Sequence, residues 1–146
     1  MKQETEPRAG ARAADAELRP PARAGGARTV LVAEDDEGVR LLIATRLEMR
    51  GYRVVEARDG QETLELANGV RPDIVLVDLQ LPRLNGFAVA RFLRQTGSLP
   101  RVPIIVVSAH DPAKHRNLAL AAGCNAYVQK PIDFDHLDEL MQSLLS

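Results

Sequence analysis

Between residues 29 and 145 a short apolar run and a stretch of helical period follow one another five times over. The runs are Thr29–Ala33, 52–56, 74–79, Ile104–Ser108 and Ala126–Gln129. The third is continuous in Ile, Val and Leu, as a strand covered on both faces should be. After the first run, Val39, Leu42, Ile43 and Leu47 recur at helical spacing, with Asp36 as N-cap and Gly51 as the stop. Asp59 followed by Glu62 has capping-box spacing for a helix reaching about Asn68 and closed by Gly69. A turn-rich loop over 81–86 leads to a helix carrying Phe87, Val89, Phe92 and Leu93. Asp111 and Pro112 make a capped helix start that runs to Gly123. Asp133 caps a last helix that would bury Leu137, Leu140, Met141 and Leu144. Strands alternating with helices predict an α/β fold with a parallel sheet and helices on both faces.

Residues 1–28 differ. They are rich in Ala, Arg, Pro and Gly, are broken by Pro20-Pro21 and Gly25-Gly26, and show no hydrophobic period. Such a segment buries too little apolar area to offset its chain entropy, so a disordered tail is expected, with one domain over 29–146. Glu4, Glu6, Asp15 and Glu17 count against a transit peptide. With 19 basic and 20 acidic side chains, the net charge of -1 gives no basic surface for nucleic acid. No window approaches the roughly 18 consecutive apolar residues of a spanning helix, so no membrane insertion is expected. The single cysteine, Cys124, can form no intrachain disulfide and reads as a small apolar residue near a strand. A soluble cytoplasmic protein is expected, ending where its last helix ends, without an output domain.

The polar residues that carry chemistry follow the apolar runs. Glu34, Asp35 and Asp36 follow the first, Asp78 closes the third, Ser108 closes the fourth and Lys130 follows the fifth. In an open parallel sheet, ligands bind beyond the carboxyl ends of the strands. Carboxylates gathered there repel one another unless a cation lies between them. Hard oxygen ligands of this kind favour Mg²⁺, and a nearby lysine and hydroxyl suit a transferred phosphoryl group. Taken singly, Asp78 could end a turn, Ser108 could be a loop hydroxyl and Tyr127 a packed strand aromatic. Asp36 reads as a helix cap. His115 and His136 are expected on solvated helix faces, and the Lys114, His115, Arg116 cluster reads as a wet surface.

The motifs Val32-Ala33-Glu34-Asp35-Asp36-Glu37, Val77-Asp78-Leu79-Gln80-Leu81-Pro82, Val107-Ser108-Ala109 and Gln129-Lys130-Pro131 together resemble those of response-regulator receiver domains of two-component signalling. The resemblance covers residues 29–145 and implies a (βα)5 doubly wound sheet with flavodoxin-like strand order 2-1-3-4-5. It implies that Asp78 is the phospho-acceptor toward a phosphohistidine on a histidine kinase or histidine phosphotransfer protein. Asp35 would bind Mg²⁺ directly, Glu34 through water, and Asp78 and the backbone carbonyl of Gln80 would complete the metal site. Ser108 would meet the phosphoryl oxygen, Lys130 would pair with it, and Tyr127 would be the switch aromatic that turns inward on activation. The Lys130-Pro131 bond is expected to be cis. The family docks its phosphodonor on the first helix and signals to a downstream effector through the surface of 111–145.

The chain departs from the common pattern with Asn85 before Gly86 and with Ser rather than Thr at 108. Gln80 and His110 fill the variable positions that set dephosphorylation rate in such domains, and His110 is expected to influence that lifetime. An aspartyl phosphatase on a similar sheet would want an acid at position 80, which is Gln. A flavin carrier would want a glycine- and hydroxyl-rich loop where the acidic run 34–37 stands. The remaining alternative is a receiver-like module that binds a partner without phosphorylation.

Overall fold

The computed structural model describes residues 27–96 and 99–146. The strands are β1 (Thr29–Ala33), β2 (Arg53–Ala57), β3 (Ile74–Asp78), β4 (Ile104–Ser108) and β5 (Ala126–Gln129). The helices between and after them are α1 (Glu37–Met49), α2 (Gly60–Val70), α3 (Gly86–Gln95), α4 (Pro112–Ala121) and α5 (Phe134–Leu145). All pairings are parallel, in the order β2-β1-β3-β4-β5. This is the doubly wound order expected from the sequence. Most of the segment read as a tail lies outside the described residues; Arg28, at its end, is engaged with the fold through a hydrogen bond from its guanidinium to the Leu145 carbonyl, 3.2 Å.

The sheet divides the core in two. On one face Leu31, Val75, Val77, Ile104 and Val106 pack against α2, α3 and α4 through Ala67, Val89, Leu93 and Ala119. On the other, Val30, Val32, Ile74, Leu76, Ile105 and Val107 pack against α1 and α5 through Ile43, Leu47, Leu137 and Met141. Alternate residues of one strand thus serve opposite layers, and this is why β1, β3 and β4 are apolar throughout. The helix starts are fixed by short polar side chains: Asp36, Asp59, Asn85, Asp111 and Asp133 each accept a backbone N–H from the first turn.

Several boundaries and faces differ from the sequence expectation. Strand β2 runs one residue later than 52–56, and β3 ends at Asp78. Helix α2 continues through Gly69 to Val70 and ends at Arg71, which takes the left-handed conformation (φ 56°) and donates its N–H to the Ala67 carbonyl. A glycine inside a helix costs only about 1 kcal/mol, so Gly69 need not stop it. In α1 the buried positions are Arg40, Ile43, Ala44 and Leu47. Leu42 is turned out to solvent, and Arg40 takes the place an apolar residue would fill one turn before Ile43. In α3, Val89, Ala90 and Leu93 are buried while Phe92 is 49% exposed. In α5, Leu137 and Met141 are buried, with Leu140 and Leu144 partly so.

Candidate functional site

Strands β1 and β3 are neighbours, and their helices leave to opposite faces of the sheet. Between such strands the chain ends splay apart and leave a crevice at the carboxyl edge. Ala33 pairs with Val77, so the next residues, Glu34 and Asp78, emerge side by side. Ser108 ends β4 opposite Gln129, and the following Lys130 donates its N–H to the Ser108 carbonyl at 2.7 Å. Each group expected from the sequence therefore stands at one edge of the sheet because the strands end in register.

Glu34, Asp35 and Asp78 place carboxylate oxygens within 4.8 Å of one another. Glu34 and Asp78 are buried and Asp35 is exposed, so the cluster opens to solvent on one side. Lys130 Nζ donates to Glu34 Oε1 at 2.8 Å and to Asp78 Oδ2 at 3.2 Å. Burial acts against the Lys130 charge, but the hydrogen bond to Glu34 and the charges of Asp78 and Glu34 outweigh it, and its pKa is raised above the ordinary lysine value. One ammonium beside three carboxylates leaves room for more positive charge. All-oxygen donors of this geometry, open on one side to water, suit a hard divalent cation such as Mg²⁺ that keeps several waters.

The Asp78 carboxylate also accepts the Gln80 N–H through Oδ1 at 3.1 Å. The Gln80 side chain is turned away, its Nε2 lying 2.8 Å from His110 Nε2. Ser108 is fully buried, and its Oγ accepts the His110 N–H at 3.0 Å rather than a group of the acidic cluster. The Tyr127 ring is buried and its hydroxyl donates to the His110 carbonyl at 3.0 Å, so it already faces inward. Asp36 serves as the α1 cap, with its Oδ1 accepting the Val39 N–H at 2.9 Å. The Lys130-Pro131 bond is cis.

His136 is exposed, in line with the sequence expectation, but His115 is half-buried rather than on a solvated face. Its ring lies 5.2 Å from the His110 ring edge-on and 6.2 Å from Phe87. Its Nδ1 is buried without a hydrogen-bond partner among the described residues. The first turn of α4 leans over β5 here, which a helical-period reading of Ala and Leu positions does not register. Burial pushes the Cys124 thiol up to about 12, partly offset by the Arg94 charge, so this cysteine carries no nucleophile at neutral pH.

Two supports of the site are invisible in the sequence pattern. Arg40 donates through Nη1 to the Glu34 carbonyl at 2.9 Å and through Nε to Glu56 Oε1 at 3.0 Å. Gly86 donates its N–H to the Leu79 carbonyl at 2.8 Å, and a Cβ there would stand 2.7 Å from the Asp78 carbonyl oxygen. Only a glycine lets α3 start so close to the end of β3.

This fold and this edge of carboxylates define a receiver, and residues 30–142 match the model of the response regulator receiver domain; the chain belongs to that family. Such domains are phosphorylation-activated switches of two-component signalling. The chain is 40% identical over 116 residues to the response regulator MprA of Mycolicibacterium vanbaalenii, covering 80% of this chain and 49% of that protein. It thus spans about half the length of that curated relative. It is 34% identical over 118 residues to the polar-differentiation response regulator DivK of Brucella anthropi, covering 81% of this chain and 96% of that one. Among solved structures it resembles the receiver domain of the sensor histidine kinase PA1611 of Pseudomonas aeruginosa, which has a magnesium ion coordinated in its active site cleft. That likeness has a TM-score of 0.76 at 32% identity and covers 82% of this chain and 98% of that one.

Proposed function

We propose that Asp78 accepts a phosphoryl group from a phosphohistidine of a histidine kinase or phosphotransfer protein, in a Mg²⁺-dependent reaction. The observation that carries this reading is the meeting of Glu34, Asp35 and Asp78, with Lys130 Nζ bridging the two buried acids. An Asp78 oxygen forms the new P–O bond as the P–N bond to the donor imidazole breaks. Glu34, Asp35, Asp78 and the Gln80 carbonyl would hold Mg²⁺, which supplies charge neutralisation to the phosphoryl oxygens when bound. Lys130 already contacts Asp78 and is placed to exchange that carboxylate for a phosphoryl oxygen. Ser108 Oγ gives up the His110 N–H to meet the same group. Phosphoryl transfer needs little from a protein beyond such positioning and charge stabilisation.

The phosphorylated state then favours one of two conformations, and a partner that binds that conformation better reads the signal. Tyr127, on β5 with its hydroxyl donating to the His110 carbonyl, links the site to the surface of 111–145, where a downstream effector would dock. Relay of the phosphoryl group to a second histidine is the other use of the same chemistry. The likeness to the response regulator DivK over 96% of that protein supports the response-regulator reading; on that reading the domain over 29–146 would act in the cytoplasm as a switch rather than an enzyme.

The test is intact mass after incubation with acetyl phosphate, with and without Mg²⁺, alongside Asp78→Asn. The expected result is one base-labile phosphoryl adduct that needs Mg²⁺ and vanishes in Asp78→Asn. Mg²⁺ binding without any adduct would overturn the reading in favour of a module that binds its partner unphosphorylated.

A further inference from the structure

Arg40 is a charged residue on the core face of α1, only 8% exposed, and no step above uses it. Burying a guanidinium is costly unless it is fully hydrogen-bonded. Its two recorded partners are specific: Glu56 Oε1 on β2 through Nε at 3.0 Å, and the backbone carbonyl of Glu34 through Nη1 at 2.9 Å. The second contact matters most. That carbonyl lies just past the end of β1, where the strand ladder no longer supplies a donor.

Glu34 is then held at every polar atom. Its N–H donates to the Ala57 carbonyl at 3.0 Å. Its carboxylate accepts Lys130 Nζ on Oε1 at 2.8 Å and the Asp36 N–H on Oε2 at 3.1 Å. Arg40 supplies the remaining tie. The Glu34 carbonyl and the Asp35 N–H belong to one planar peptide unit. Holding the carbonyl therefore sets the direction in which the chain leaves Glu34 and where Asp35 begins. A planar, rigid fork suits this task, since one group must span a carboxylate on β2 and a carbonyl at the end of β1.

We propose that Arg40 is a positioning residue for the Glu34–Asp35 pair: it orients the peptide unit between the two acids and so sets the affinity of the cluster for its divalent cation. The proposal rests on the reading of that cluster as a Mg²⁺ site. Groups that hold a metal's ligands in place typically contribute a factor of about 10 to 100 in affinity. A residue that only packed α1 against β2 would contribute to stability and leave affinity alone.

The test uses the full chain as wild type, Arg40→Lys and Arg40→Met. Mg²⁺ affinity is measured by calorimetry at a temperature where circular dichroism shows each protein folded. The Mg²⁺ dependence of phosphorylation by acetyl phosphate is measured in parallel. A lysine keeps the charge but cannot span both partners, so Arg40→Lys is expected to weaken Mg²⁺ binding about tenfold. The Mg²⁺ concentration for half-maximal phosphorylation should rise by the same factor, while the rate at saturating Mg²⁺ changes little. A folded Arg40→Lys that binds Mg²⁺ within twofold of wild type overturns the proposal, whatever its melting temperature. Failure of both variants to fold overturns it too, by making Arg40 a folding residue. Absence of Mg²⁺ binding by the wild type would be a separate result, and would overturn the metal-site reading itself.

Discussion

Lys130 sits between two buried carboxylates, and that position sets the direction of its pKa. Burial alone would lower its pKa; the Glu34 hydrogen bond and the two carboxylate charges carry the net direction upward. An unfolded lysine titrates near about 10.4, below the folded value. The stabilising contribution of the ammonium is therefore whole below about pH 10 and is lost as pH rises through the folded pKa. Urea unfolding of wild type and Lys130→Met should give a stability difference that is constant from about pH 7 to 9 and shrinks above about pH 10.5. A difference that fell instead between pH 5 and 8 would place the titration on another group. At the opposite side of the site, His110 is tied to Gln80 through Nε2 and to Tyr127 and Ser108 through its backbone. We propose that it admits or refuses the water that attacks phospho-Asp78. Replacing it with Ala should change the half-life of phospho-Asp78 severalfold, read by loss of the intact-mass adduct after the phosphodonor is removed. An unchanged half-life would sink that role.

At the scale of the elements, the join between β3 and α3 governs how exactly Asp78 is held. Gly86 meets the Asp78 carbonyl so closely that any Cβ must push the strand end or the helix start. Forced overpacking of this kind typically costs about 1–3 kcal/mol. Gly86→Ala should lower unfolding free energy by about that amount, with slower phosphorylation because the backbone of Asp78, the proposed acceptor, moves. Wild-type stability in Gly86→Ala would mean the loop absorbs the methyl without effect. These joins also mark what the sequence could and could not tell. The strands were legible because buried parallel strands are apolar on both faces, and the caps Asp36, Asp59, Asp111 and Asp133 because Asp just before a helical period favours that role; Asn85, a cap in the structure, stood in the sequence only as a loop residue. The site carboxylates and Lys130 were legible from their position after those runs. Leu42, expected on the core face, is turned out to solvent, and Arg40, for which the hydrophobic period carries no expectation, is turned in. Gly69 was taken as a stop although Arg71 ends the helix in a conformation that sequence alone does not mark. The half-buried His115 was missed because its surroundings, Phe87 and His110, come from other parts of the chain.

For the molecule as a whole, the sheet separates two cores that share every central strand. A change at the carboxyl edge therefore reaches both layers, although the groups that move first are few. Tyr127 is already inside, bonded to the residue two after Ser108. If Ser108 turns to the phosphoryl group, the loop of 108–110 moves with it and draws on the Tyr127 hydroxyl. Tyr127→Ala should be phosphorylated like wild type, yet show smaller phosphorylation-induced shifts of the α4 and β5 backbone amides by NMR. Wild-type shifts would mean that the loop signals without the ring.

The hydrogen bond from Arg28 to the Leu145 carbonyl brings the start of β1 beside the end of α5. All five strands run the same way, so this meeting point lies at the pole opposite the carboxylates, a strand length or about 17 Å away. A fluorescent protein or affinity handle fused at either side of the domain would leave from that far pole without covering the cleft. The same closeness makes the domain a suitable insert, able to sit in a loop of a host protein through two neighbouring attachment points.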